Sequence, residues 1–133
     1  MIERITYNEQ EIAIIIRKEF KKPGVHFFTP NDYSQQLAYM AHPSGKKILP
    51  HIHKKNKREV LYTQETLIIK EGKLRVSFYS EDQKFLFNKI LNAGDIILLI
   101  KGGHGFEVLE DIEMIEIKQG PYAGDNDKIK FNT

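Results

Sequence analysis

Residues 60–79 read VLYTQETLIIKEGKLRVSFY. Threonine, isoleucine, leucine, valine and aromatic residues dominate, and most of these types suit a pleated, half-buried surface. Glu71-Gly72 interrupts them with turn chemistry, because glycine adopts backbone angles that other residues avoid. The reading is two strands, 60–70 and 74–79, separated at that pair. Whether the rest of the chain follows the same rhythm decides the fold.

It does on both sides. Downstream, strand-like runs recur at 85–91, 96–100, 106–109 and 113–118, separated by Ser80-Glu81-Asp82, Asn92-Ala93-Gly94-Asp95 and Gly102-Gly103. Upstream, 25–29 is a short apolar run and 36–41 a further strand, with Pro30-Asn31-Asp32 and His42-Pro43-Ser44-Gly45 as turns. Many short strands with turn residues between them predict an all-β sandwich or barrel. The first residues depart from this pattern. Asn8-Glu9-Gln10-Glu11 has the form of a capping box, Ile12, Ile15, Ile16 and Phe20 follow at helical spacing, and Pro23-Gly24 ends the segment. A short N-terminal helix over about 8–22 is expected, although so many isoleucines also suit a strand.

The 133 residues fit one domain, with a barrel over about 25–118 and a C-terminal loop over 119–133. Lysine and arginine total 20 and aspartate and glutamate 18, a net charge of +2 that gives no reason to expect nucleic acid or a membrane surface as partner. With no cysteine, disulfides and thiolate metal sites are excluded. The start MIERITYNEQE lacks the apolar core of a signal peptide, and the apolar runs 12–16 and 96–100 are too short to span a bilayer. A cytoplasmic protein is expected.

Two of the five histidines, His51 and His53, flank Ile52. On a strand, alternate residues share a face, so both imidazoles would project together. A His-x-His alone is weak evidence, since surface pairs are common. Gly45 lies six positions before His51, and Glu65 opens a run that reaches Gly72 seven positions later. Further on, GDIILLIKGGHGF (94–106) places a Gly-Asp turn before an apolar strand, then a glycine pair, then His104. The glycines let the backbone carry His104 close to the mouth of a barrel.

These pieces resemble the cupin family over about residues 36–118. The first cupin motif (Gly, five residues, His-x-His, three or four residues, Glu, six residues, Gly) is similar to Gly45, His51, His53, Glu65 and Gly72. Eleven residues separate His53 from Glu65, and KKNKR at 54–58 looks like an insertion. The second motif resembles Gly94, Gly102 and His104, with Ile100 in place of its proline, a gap one residue shorter, and Val108 in place of its asparagine. The resemblance implies a double-stranded β-helix, or jelly-roll, barrel. It also implies a divalent metal ion (Fe, Mn, Ni, Co, Cu or Zn) held by His51, His53, Glu65 and His104, with open positions for water or substrate.

The insertion leaves two carboxylates for the acidic ligand. Glu65 has the expected distance to Gly72. Glu59 shares its parity if the strand is unbulged, and is assigned to an outer position as catalytic acid or base. His26 and His42 match neither motif and read as structural, and Asp95 reads as a turn residue. Arg58, Lys101 and Tyr62 are candidate contacts for an anionic substrate, though charges at strand ends are as a rule simply solvated. Tyr122 and the Gly-Asp-rich tail fit a lid, a dimer contact or a disordered loop.

Cupins include isomerases, epimerases, dioxygenases and binding proteins, so fold alone does not choose among them. The segments TQETLIIKEGKLRV and GDIILLIKGGHGFEVLED resemble bacterial cupins of sugar and surface-polysaccharide metabolism. The expectation is a homodimeric enzyme using a metal ion as Lewis acid on a small polar or carbohydrate-derived substrate, in isomerase or epimerase fashion. The alternatives are a non-catalytic sugar-binding or sensory module and an Fe(II)-dependent dioxygenase.

Overall fold

A computed structural model describes residues 1–132. Strands β1 (Ile2–Tyr7), β2 (Gln10–Ile16), β3 (Gly24–Phe27), β4 (Ala38–Ala41), β5 (Glu65–Tyr79), β6 (Phe85–Asn92), β7 (Ile96–Leu99) and β8 (Gly103–Lys118) follow in chain order. One 3-10 turn (Gly124–Asn126) lies in the C-terminal segment. The architecture is all-β, as expected. Among the described residues no helix is long and apolar enough to cross a membrane.

The expected N-terminal helix over 8–22 is not formed; residues 10–16 are strand β2. Asn8 and Glu9 take φ of 50° and 62° and join β1 to β2 with Tyr7 opposite Gln10. Positive φ at both central residues is the signature of a type I′ hairpin, whose twist matches that of the strands. β2 lies between β1 and β7, and residues 12–16 are all buried. A strand covered on both faces reads as a continuous apolar run, without alternation. The isoleucines, stiff at χ1 and suited to a pleated sheet, thus outweighed the capping pattern.

The second difference is at Gly72. β5 runs through it unbroken for 15 residues, and β8 is likewise one strand where two were expected. β8 pairs along one edge of β5 from Glu65↔Lys118 to Tyr79↔Gly103. The opposite edge is shared, with β7 on Glu65–Ile68 and β6 on Lys73–Tyr79. Between the halves the β5–β8 register shifts at Ile69/Glu71 and Glu71/Lys73. The buried side chains of β5 accordingly change parity, from Leu67 and Ile69 to Leu74, Val76 and Phe78. This is bulge behaviour, which bends a ribbon and raises its twist. The turn between β6 and β7 is fastened at the same level, with Ile69 N–H donating to the Asp95 carbonyl and Gly94 N–H to the Ile69 carbonyl.

The result is a curled antiparallel sheet, an open half-barrel. Its main core joins Ile5, Ala13 and Ile15 to Leu67, Ile69, Leu74, Val76, Phe78, Leu91 and Ile97. On the other face of β2 and β7, Phe28, Tyr33 and Leu37 from the β3–β4 region pack on Ile14, Leu98 and Ile100. Asp95 is structural, as expected of a turn residue. It is buried, accepts from the backbone N–H groups of Lys18 and Asn92, and pairs with Arg17 at 3.1 Å. Residues 42–64 contain no strand, so residues 60–64 of the expected strand 60–70 lie outside β5.

Candidate functional site

Glu65 opens β5, and His104 stands opposite Phe78 near its other end. A straight strand would separate the two ends by roughly 43 Å, at about 3.3 Å per residue. Instead His104 Nε2 lies 3.0 Å from Glu65 Oε1. The bend at Gly72 is what makes this meeting possible.

Both side chains face the concave side. Residues paired directly across a ladder share a face. Phe78↔His104 and Val76↔Phe106 therefore place His104 and Phe106 with the core side of β5, and Leu67↔Glu116 and Glu65↔Lys118 do the same for Glu116 and Lys118. The approach to His104 depends on glycine, as its position after a glycine pair suggested. Gly102 has φ of 81°, and a Cβ there would stand 2.8 Å from the Tyr79 carbonyl oxygen. The His104 ring stacks on Phe106 with centroids 5.4 Å apart.

The pair lies in a cleft of about 1070 Å³ that Tyr62, Tyr79, Lys101, Glu116 and Lys118 also line. Hydrogen bonding to the His104 imidazole holds the Glu65 carboxyl down at about 2, against the opposing effect of its burial. The Glu116 carboxyl is raised, chiefly because it hydrogen-bonds to Glu65 and then because of its own burial. Lys118 Nζ bonds Asp127 at 2.7 Å and lies 5.5 Å from the centre of the Tyr122 ring. Phe131 meets Tyr79 edge-on at 5.1 Å. The C-terminal segment thus forms one wall of the cleft.

The expected site residues divide into two groups. Glu65 and His104 come together. His51, His53 and Glu59 lie exposed on the strandless segment 42–64 and are not among the residues lining the cleft. The two histidine rings do neighbour each other, with centroids 5.1 Å apart, but no strand aligns them. Among the described residues, no three histidine, aspartate or glutamate side chains are grouped so as to hold a metal ion. As placed, the residues do not form the four-ligand set.

His26 bonds the Pro23 carbonyl at 2.7 Å, in keeping with a structural role, and His42 is exposed. Of the three candidate substrate contacts, Lys101 and Tyr62 line the cleft, the ammonium 5.4 Å from the ring centre, and Arg58 does not. Glu116 and Lys118 escaped sequence reading. Their shared parity in 113–118 was visible, but only the register with β5 places them beside Glu65.

A scan of protein-family models and searches of curated proteins and of solved structures return no match to this chain.

Proposed function

We propose that the chain is a cupin-type protein whose cleft receives a small polar, carbohydrate-derived molecule, on which His104 and Glu65 act by proton transfer in isomerase or epimerase fashion. The observation that carries this reading is the 3.0 Å imidazole–carboxylate contact inside an open cleft. Glu65, held ionised beside the ring, fixes the orientation of the His104 imidazole, as a general acid or base requires. Lys101 and Lys118 supply positive charge for an anionic group, and Tyr62, Tyr79 and Phe106 supply apolar faces for a sugar ring. The test is a screen of sugar phosphates, sugar nucleotides and small keto acids by nuclear magnetic resonance. His104→Asn and Glu65→Gln should abolish any conversion found while leaving the β-sheet circular dichroism intact. Full turnover in both variants would end the reading.

A second reading, a metal-containing enzyme or sensory module, is favoured by one observation. His51 Nδ1 lies 3.0 Å from the Leu49 carbonyl oxygen. When Nδ1 carries the proton and donates it there, Nε2 is left as a free donor atom for a metal. This reading requires His51 and His53 to reach Glu65 and His104. Metal content of the purified protein, compared with that of His51→Ala/His53→Ala, distinguishes the two readings.

A further inference from the structure

We infer that the basic segment 46–58 of one copy pairs along the free edge of β8 in a second copy, and that this exchange of arms makes the protein a dimer. β8 is 16 residues long and pairs only with β5 among the described residues. A long unpaired edge is a template for another chain. It is also conspicuously charged. From 107 to 116 it has no cation and carries Glu110, Asp111 and Glu113, besides Glu107, which pairs with Arg75, and Glu116, which faces the cleft. Glu113 stands directly opposite Glu71, an unfavourable pairing of like charges.

Segment 46–58 is the complement. It carries Lys46, Lys47, Lys54, Lys55, Lys57 and Arg58 and no acid. Among the described residues none of these six has an ion-pair partner. The segment stands clear of its own body. Leu49 and Ile52 are 82% and 93% exposed, and among the described residues no hydrogen bond from 47 to 62 reaches another part of the chain. β8 presents matching apolar surface at Val108, Ile115 and Ile117, each 46% exposed or more. Pro50 suits an arm that becomes the new edge, since its missing N–H can face solvent.

The occupant is a second copy because the chain's own arm, strandless and exposed, is not paired with its own β8. A reciprocal exchange gives a closed two-fold dimer and leaves no free β8 edge. It carries His51 and His53 onto the strand that bears His104, where the second reading above needs them. The dimer itself does not depend on that reading, and sedimentation tests it without metal.

The test uses charge reversal on full-length protein. Wild type should sediment as a dimer at micromolar concentration. Lys54→Glu/Lys55→Glu/Lys57→Glu and, separately, Glu110→Lys/Glu113→Lys should each weaken dimerisation by roughly a hundredfold. Circular dichroism confirms that both variants are folded; the first lies wholly in exposed coil. Mixing them should restore a heterodimer, because each arm then meets an edge of opposite charge. A monomeric wild type, or two variants that dimerise as wild type does, would overturn the inference. A mixture that stays monomeric would overturn it equally.

Discussion

Gly72 and Asp111 touch backbone to backbone: a Cβ on Gly72 would stand 2.1 Å from the Asp111 carbonyl oxygen. The contact lies at the bend of the β5–β8 ribbon, and Gly72 also has φ of 92°. Gly72→Ala should cost more than the roughly 1–3 kcal/mol of a strained left-handed residue, since the neighbouring backbone must also move. Gly45 has nearly the same φ, 91°, with nothing within 4 Å of an added Cβ. Gly45→Ala should therefore cost only the conformational part. Urea midpoints of the two variants check this, and equal losses would contradict a close approach at Gly72.

Glu65 makes acid stability predictable. Its carboxyl sits at about 2 in the folded chain against an ordinary 4.5, so folding favours the ionised form. That contribution is fully present above pH 4.5 and is lost as pH falls from there toward 2. Glu65→Gln should flatten the pH dependence of stability across that window. Denaturation curves at several pH values read the slope, and a variant as acid-sensitive as wild type would refute it.

Asp95 should be among the costliest polar positions. It is 2% exposed and satisfies two backbone N–H groups together with Arg17. Asp95→Ala leaves the two backbone donors without a partner, while Arg17 keeps Glu3 and the Ile90 carbonyl, so the loss should be about 2 kcal/mol or more. A loss below about 1 kcal/mol in the unfolding free energy would be too small for a satisfied buried carboxylate.

The β1–β2 turn offers a gain. Glu9 holds φ of 62°, a region that costs side-chain-bearing residues about 1 kcal/mol or more. Glu9→Gly creates the Asn-Gly pair that type I′ turns favour and should raise stability by about 0.5 kcal/mol. A lowered thermal midpoint would count against the turn assignment.

The β character of the chain was legible because turn residues recur between runs of strand-forming types. The helix over 8–22 was misread because Asn8-Glu9-Gln10-Glu11 fits both a helix cap and a hairpin approach. Only knowing that β1 and β7 pair along both edges of β2, and that its two faces are covered by the main core and by Phe28, Tyr33 and Leu37, decides between them. Glu71-Gly72 was misread as a boundary for a related reason. A glycine in a bulge and a glycine in a turn look alike until the partner strand is known to continue past it.

Glu65 and His104 were legible as candidates because each stands where a strand begins after a polar or glycine break. Their contact was not, since it depends on a bend produced by register shifts. The period-two argument for His51 and His53 finds no strand to act on within the single chain. Alternation aligns side chains only on a paired strand, and residues 42–64 form none.

The placement of β2 bears on how the chain reaches this fold. The β1–β2 hairpin closes through two residues, whereas joining β2 to β7 brings together Ile16 and Ile96, 80 positions apart. Loop closure becomes costlier by about 0.6 kcal/mol for each doubling of length, so this junction carries a penalty of several such steps that the hairpin escapes. We expect the hairpin to form early and its docking on β7 to limit the folding rate. Ile97→Val would then slow refolding, and so would Ile5→Val, whose hairpin contacts with Ala13 form before the barrier. Stopped-flow rates for the two variants decide the order, and an unchanged refolding rate for Ile97→Val would place the junction after the barrier.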